Sequence, residues 1–169
     1  MRYFEYYASP VGTLSIGCDD LGLTELRFVD RRAEALGNDP PHPLLVEARR
    51  WLDVYFSGHA PDFTPPLHPA GSDFRRTVGR IMLEIPFGGT VTYGDIARRI
   101  VRERGGGRMS AQAVGGAVGG NPIAIVIPCH RVVGAHGNLT GYDGGMERKI
   151  ALLQLEGVDL SRFFVPKKR

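Results

Sequence analysis

Residues 121–157 read NPIAIVIPCHRVVGAHGNLTGYDGGMERKIALLQLEG. A short apolar run, Ile123–Ile127, closes on Pro128 and reads as a buried segment. It delivers Cys129, His130 and Arg131 to the edge of a glycine-rich loop, residues 134–145. Ile150, Leu152, Leu153 and Leu155 then recur as in a helix over Glu147–Glu156, with Gly157 as its stop.

A thiolate, not a thiol, is the nucleophile, and a neighbouring His or Arg lowers a thiol's pKa. Adjacent side chains on an extended chain diverge, so His130 is better placed to act on Cys129 through a water than by direct contact. Glu156 is the candidate to orient and polarise that histidine, as in other nucleophile–base–orienter sets. A Cys-His dipeptide alone leaves a buried, inert thiol open. Cys18, in a strand-turn context without a basic neighbour, takes that inert reading.

Upstream, the chain reads as helical. Ser72 or Asp73 caps a helix running to about Glu84, with Phe74, Val78, Ile81 and Met82 on one face. Pro86–Gly89 is a loop. Thr92 caps a helix carrying Tyr93, Ile96, Ala97 and Ile100, and Ser110 caps a second over Ala111–Val118. Between them lies Arg104-Gly105-Gly106-Gly107-Arg108, a flexible connection. Helix, turn and capped helix give the outline of a helix-turn-helix, which any αα-hairpin shares. The N-terminal part reads as a meander of strands 2–7, 13–17 and 23–29, a chain break at Asn38-Asp39-Pro40-Pro41, and a helix from Leu44 to Phe56. Residues 59–71 are proline-rich and read as an extended linker. The expected class is therefore α+β, with an N-terminal unit over 1–65 and a C-terminal unit over 66–169.

The 169 residues carry a net charge of +3, unevenly placed. Six basic and eleven acidic side chains fall in residues 1–74, fifteen against seven in residues 75–169, so the halves carry −5 and +8. Arg75, Arg76, Arg80, Arg98, Arg99, Arg102, Arg104 and Arg108 make up much of the basic half. Such a stretch suits a polyanion; a solvated arginine-rich surface explains it equally well. No apolar run spans a bilayer, and the first residues lack the pattern of a secretory signal. A cytosolic chain with free thiols is expected. His42, His59 and His68 stand singly among loop residues, so no metal site is expected.

The 121–157 string resembles the active-site signature of the O6-alkylguanine-DNA alkyltransferases. IPFGGTVTYGDIA, SAQAVGGAVGGNP and the N-terminal SPVGTLSIGCDDLGLTELRF resemble that family too, so the likeness covers nearly the whole chain. It implies a ribonuclease-H-like N-terminal unit in a supporting role. It also implies direct repair without cofactor or metal. Cys129 takes the alkyl group from a flipped-out O6-alkylguanine in one irreversible step, and the protein is consumed. In that scheme His130 deprotonates Cys129 through water with Glu156 behind it. Asn121 braces the active-site segment, and Tyr93 donates to the leaving guanine. The second helix of the hairpin enters the minor groove of duplex DNA. Ser110, Ala111, Gln112, Gly115, Arg131, Tyr142 and Asp143 are the residues expected at DNA. A monomer is expected.

The chain departs from the family pattern at Gln112, at Gly79, at the stretch Val101–Arg108, which looks longer than the usual turn, and at Asp143, a carboxylate where a small neutral residue is frequent. Gln112 occupies the position where many members carry an arginine that fills the space of the extruded base, and glutamine lacks the planar cation. Gly79 stands where members often carry a tryptophan. Competing readings are a lesion-binding module without chemistry, a helix-turn-helix regulator and, least supported, a thiol hydrolase. Alkyl transfer to Cys129 separates the first reading from these.

Overall fold

The computed structural model of the chain describes residues 1–30 and 41–166, so the break expected at Asn38-Asp39-Pro40 falls outside the described residues. Two compact units emerge. One comprises Met1–Ala70 with Pro122–Val126, the other Gly71–Asn121 with Ile127–Arg169.

In the first unit β1 (Tyr3–Ser9), β2 (Gly12–Cys18) and β3 (Leu23–Val29) form an antiparallel sheet in chain order. The turn into β3 is held by Asp19, whose Oδ1 accepts from the backbone N–H groups of Leu21 (2.8 Å) and Gly22 (3.1 Å). Helix α1 (Pro43–Phe56) starts with Pro at its first position and His42 Nδ1 accepting from Leu44 N–H at 3.1 Å. Its apolar stripe of Leu45, Ala48, Trp51, Leu52 and Tyr55 is buried and packs on the three strands, whose inner residues include Leu14, Ile16 and Leu26.

The far edge of β3 is covered by two segments without strand-like length. Leu23 N–H donates to Pro66 O (2.8 Å) and Leu23 O accepts from His68 N–H (2.7 Å). Leu26 N–H donates to Pro122 O (2.9 Å) and Leu26 O accepts from Ala124 N–H (2.8 Å). The proline-rich stretch read as a linker is thus partly zipped to the sheet, because an open edge leaves backbone groups unsatisfied.

The second unit holds α2 (Asp73–Leu83), the two-residue strand β4 (Val91–Thr92), α3 (Tyr93–Glu103), α4 (Ala111–Gly119), the two-residue strand β5 (Val132–Val133) and α5 (Met146–Leu155). Each helix start follows its sequence signal, except at α5, where Gly145 offers no side-chain cap. Ser72 Oγ accepts from Arg75 N–H at 3.2 Å and Ser110 Oγ from Ala113 N–H at 3.0 Å. Thr92 and Asp95 form a reciprocal capping box at α3. β4 and β5 pair in parallel, an element too short to leave a pattern in sequence. The architecture is α+β.

Gly79 lies inside α2, and a Cβ built there would find its nearest neighbours, the Ile127 side-chain carbons, at 4.0 Å. The site has room for a methyl group, while glycine in a helix interior costs roughly 0.8–1.0 kcal/mol against alanine. Gly79→Ala is expected to raise stability by about 1 kcal/mol. Urea unfolding should show a higher midpoint at unchanged slope; an unchanged or lower midpoint would mean that the space is not available.

Candidate active site

The apolar run before Cys129 is not a strand. Val126 N–H donates to Ala124 O (2.8 Å) across Ile125, which sits at φ 70°, so the chain turns through a γ-turn of the strained hand. A β-branched residue there is a true outlier. Cys129 N–H donates to Ile127 O (2.8 Å) across Pro128, whose φ of −82° and ψ of 67° give the common, inverse γ-turn. Asn121 Nδ2 donates to the same Ile127 oxygen at 2.8 Å, closing the two ends of the excursion 122–126. The chain then makes one 3-10 turn over Cys129–Arg131, all three side chains buried.

Glu156, the C-cap of α5, is buried behind that turn. Its Oε2 lies 2.5 Å from His130 Nε2 and accepts from Arg131 Nη2 at 3.1 Å. Its Oε1 accepts from Arg131 Nε at 2.7 Å and from Gly88 N–H at 2.9 Å. Burial works to raise the Glu156 pKa, but the hydrogen bonds of His130 and Arg131 and the Arg131 charge outweigh it and hold the carboxyl at about 2. Gly88 reaches this carboxylate at φ 82°, and a Cβ there would crowd Glu156 O at 3.1 Å. With Glu156 ionised, the geometry assigns the imidazole hydrogen to Nε2 and leaves Nδ1 as the basic nitrogen. Burial lowers the His130 pKa, so the ring is neutral near pH 7.

Burial also pushes the Cys129 thiol up, opposed by the Asn121 amide, the Lys149 charge and the Tyr142 hydroxyl. Lys149 is almost wholly buried, donating from Nζ to Val132 O (2.8 Å) and Gly141 O (3.4 Å), and burial lowers its pKa to about 8. It ties the glycine-rich loop to the strand that follows Cys129. The Tyr93 hydroxyl meets Thr140 Oγ1 of that loop at 3.2 Å. The Tyr93 ring lies 3.8–3.9 Å from where a Cβ on Gly115 would stand.

Cys129, His130, Glu156, Asn121 and Tyr142 therefore come together, and Tyr93 faces the loop that carries Tyr142. Arg131 departs from expectation. The sequence reading places it at DNA, but its guanidinium is buried on Glu156 and on Ile85 O (2.7 Å), beside the Phe87 ring. It works as an internal strut, because a charge placed this close to a buried carboxylate is consumed by it. On α4, Ser110, Ala111 and Gln112 are exposed, Gly115 is half-buried, and Asp143 is exposed on the loop. Cys18 is buried, with its thiol pushed up to about 11 by burial and the adjacent Asp19 and Asp20. Among the described residues no cluster of His, Cys, Asp or Glu is arranged to hold a metal, and no helix is long and apolar enough to cross a membrane.

Residues 73–158 match the model of the 6-O-methylguanine DNA methyltransferase DNA-binding domain, and residues 2–69 match that of the ribonuclease-like domain of the same family. The chain belongs to the 6-O-methylguanine DNA methyltransferase family. The methylated-DNA–protein-cysteine methyltransferase of Methanosarcina acetivorans is 39% identical over 158 residues, covering 92% of this chain and 98% of that protein. The Mycobacterium tuberculosis protein of that name is 41% identical, covering 92% and 93%. A crystal structure of the M. tuberculosis O6-methylguanine methyltransferase aligns with a TM-score of 0.76 at 41% identity, covering 96% of this chain and 94% of that one, and a crystal structure of M. tuberculosis OGT in complex with DNA aligns with the same score and identity.

Lys149 is the site residue that sequence reading passed over. The signal was present: a lysine three and four residues before Leu152 and Leu153 sits on the buried face of α5.

The Glu156 hub yields a test of stability. Glu156→Gln strands the Arg131 cation, and breaking a buried pair costs about 3–5 kcal/mol. The folded pKa of about 2 lies below the ordinary 4.5, so the stabilisation is complete above pH 4.5 and is lost as pH falls toward 2. Urea midpoints should fall more steeply over that interval in the parent than in Glu156→Gln; parallel acid limbs would remove Glu156 from this role.

Proposed function

We propose that this chain repairs DNA directly, by moving an alkyl group from O6 of guanine in a duplex onto Cys129 in a single irreversible turnover. The observation that carries the reading is the buried Cys129–His130–Glu156 set, on a segment joined to the family's DNA-binding helices. In this scheme α4 lies in the minor groove and the damaged base is extruded into the site. His130 Nδ1 accepts the thiol proton, through water, as the sulfur–carbon bond forms. The bond from carbon to O6 breaks, and its electron pair leaves with the guanine. The Tyr93 hydroxyl donates a proton to that guanine and is reprotonated from His130, so the net result is S-alkylcysteine and neutral guanine. Lys149 and the Tyr142 hydroxyl stabilise the transient thiolate. Glu156 holds the imidazole in its tautomer and stabilises the imidazolium.

Nothing in this sequence of steps calls on a metal or cofactor. We take the protein to act as a monomer in the cytoplasm. Ser110, Ala111, Gln112, Gly115 and Asp143 lie at the DNA in this reading, with Tyr142 turned to Cys129.

Intact-protein mass spectrometry after incubation with a duplex containing one O6-methylguanine is the direct test. The parent should gain the mass of one methyl group, mapped to Cys129, and Cys129→Ala should gain none. Binding without gain would instead mark a lesion-binding module. On the same duplex Gln112→Arg should tighten binding or speed transfer, because a planar cation fills and hydrogen-bonds the vacated base position better than an amide does. A rate and affinity no better than the parent's would count against that role for position 112.

A further inference from the structure

Much of the arginine-rich stretch is already neutralised. Arg76 pairs with Asp73 (3.5 Å), Arg80 with Glu103 (2.8 Å), Arg98 with Asp95 (2.5 Å), and Arg99 with Glu84 and Glu103. Arg104 donates instead to its own loop, at Gly106 O and Arg108 O. Arg75 differs. It is exposed on α2, and among the described residues its guanidinium has no carboxylate partner and donates no hydrogen bond. Its head nonetheless lies close against one backbone position. A Cβ built on Gly120, the C-cap of α4, would lie 2.7 Å from Cζ and 2.8–3.0 Å from both terminal nitrogens. The guanidinium therefore lies against a residue whose lack of a side chain admits it.

That place ends a line along α4. Positions 112, 116 and 120 are four residues apart and fall on one side of the helix, about 12 Å from first to last. Gln112 and Gly116 are exposed, and a Cβ at Gly116 or at the neighbouring Gly119 would meet nothing within 4 Å. The strip is thus open along its length and closed at its C-terminal end by a cation. A helix laid in a groove about 6 Å wide brings phosphate rows against its flanks. We propose that Arg75 is a phosphate clamp: seated on Gly120 by packing rather than by an ion pair, it keeps its donors for a DNA backbone phosphate and fixes how far α4 runs into the groove. This rests on the reading of α4 as the DNA-contacting helix.

The test is the salt dependence of binding to an unmodified duplex, by fluorescence anisotropy between 50 and 200 mM salt. Each phosphate contact contributes about 0.9 to the slope of log K against log salt. Arg75→Ala should lower the slope by about 1, so that its affinity falls about 3-fold less than the parent's over that range. Arg75→Lys should restore the slope. Arg80→Ala, which removes an already paired charge, should leave it unchanged. Gly120→Ala has an ordinary backbone φ of −87°, and the three atoms nearest its new Cβ all belong to the arginine head. It should weaken binding, and add nothing in combination with Arg75→Ala. An unchanged slope in Arg75→Ala, an equal drop in Arg80→Ala, or additive effects of Arg75→Ala and Gly120→Ala would each overturn the clamp while the parent still binds. A parent that does not bind duplex would overturn the DNA reading itself.

Discussion

The hydrogens of His130, Arg131 and the Gly88 backbone converge on one buried carboxylate, Glu156. Remove the carboxylate and two constraints fail together. The imidazole behind Cys129 loses the acceptor that sets its tautomer, and Arg131 becomes a buried cation without a counter-charge. The loop 85–88 would loosen too, since Arg131 holds Ile85 O and Glu156 holds Gly88 N–H. A site that must present one sulfur in one orientation cannot rest on loop conformations alone. Here two loops are referred to the end of α5, whose Leu152 and Leu153 are fully buried. Ion-pair energy by itself is a weak reason to bury charges; fixing the imidazole's tautomer and orientation is a better one.

The glycine-rich loop is restrained in a different way. Val133, Leu139 and Leu153 form a small core, joined by Met146, Ile150, Val158, Leu160 and Phe163. The tail closes over it: Leu139 N–H donates to Phe164 O (3.0 Å) and Phe164 N–H to Gly137 O (2.9 Å). Thr140 stands at φ 52°, its N–H on Asn138 Oδ1 (2.9 Å) and its hydroxyl on Tyr93. Non-glycine residues persist in such backbone regions only where their surroundings over-determine them. The loop's composition suggests freedom, but its packing, Lys149 and the tail leave it little.

Signals that act over a few residues were legible in the sequence. Ser72, Thr92 and Ser110 announced three helix starts, because a cap is a local hydrogen bond between a side chain and the next turn. The meander and α1 followed from apolar spacing. Elements that depend on distant partners were not legible. The run Ile123–Ile127 is apolar enough for a strand, and nothing in it distinguishes a strand from the bridge to Leu26 and the two γ-turns that form. The arginine cluster shows the limit only in part: Arg76 and Arg98 pair with Asp73 and Asp95 three residues away, while Arg80–Glu103 and Arg99–Glu84 join separate helices or loops and leave no local signal. Arg131 and Lys149 show the same limit from the buried side. A charged side chain in sequence looks like surface until the carboxylate or carbonyls that receive it are in place.

The burial of Cys129 and its role pull in opposite directions, and the conflict is informative. Desolvation keeps the thiol protonated, which lowers its reactivity at rest. For a catalyst that turns over, such a thiol would be a handicap. A reagent consumed in one event faces another hazard: any small electrophile or oxidant that finds an exposed thiolate ends its usefulness. With 7% exposure and a thiol held neutral, Cys129 is shielded from both. His130 beside it is held neutral by the same burial. The groups that favour the thiolate, the Asn121 amide, Lys149 and the Tyr142 hydroxyl, are already in place at rest. Little need be reorganised once the substrate arrives, and the selectivity of the sulfur follows from what is admitted to it rather than from how reactive it is.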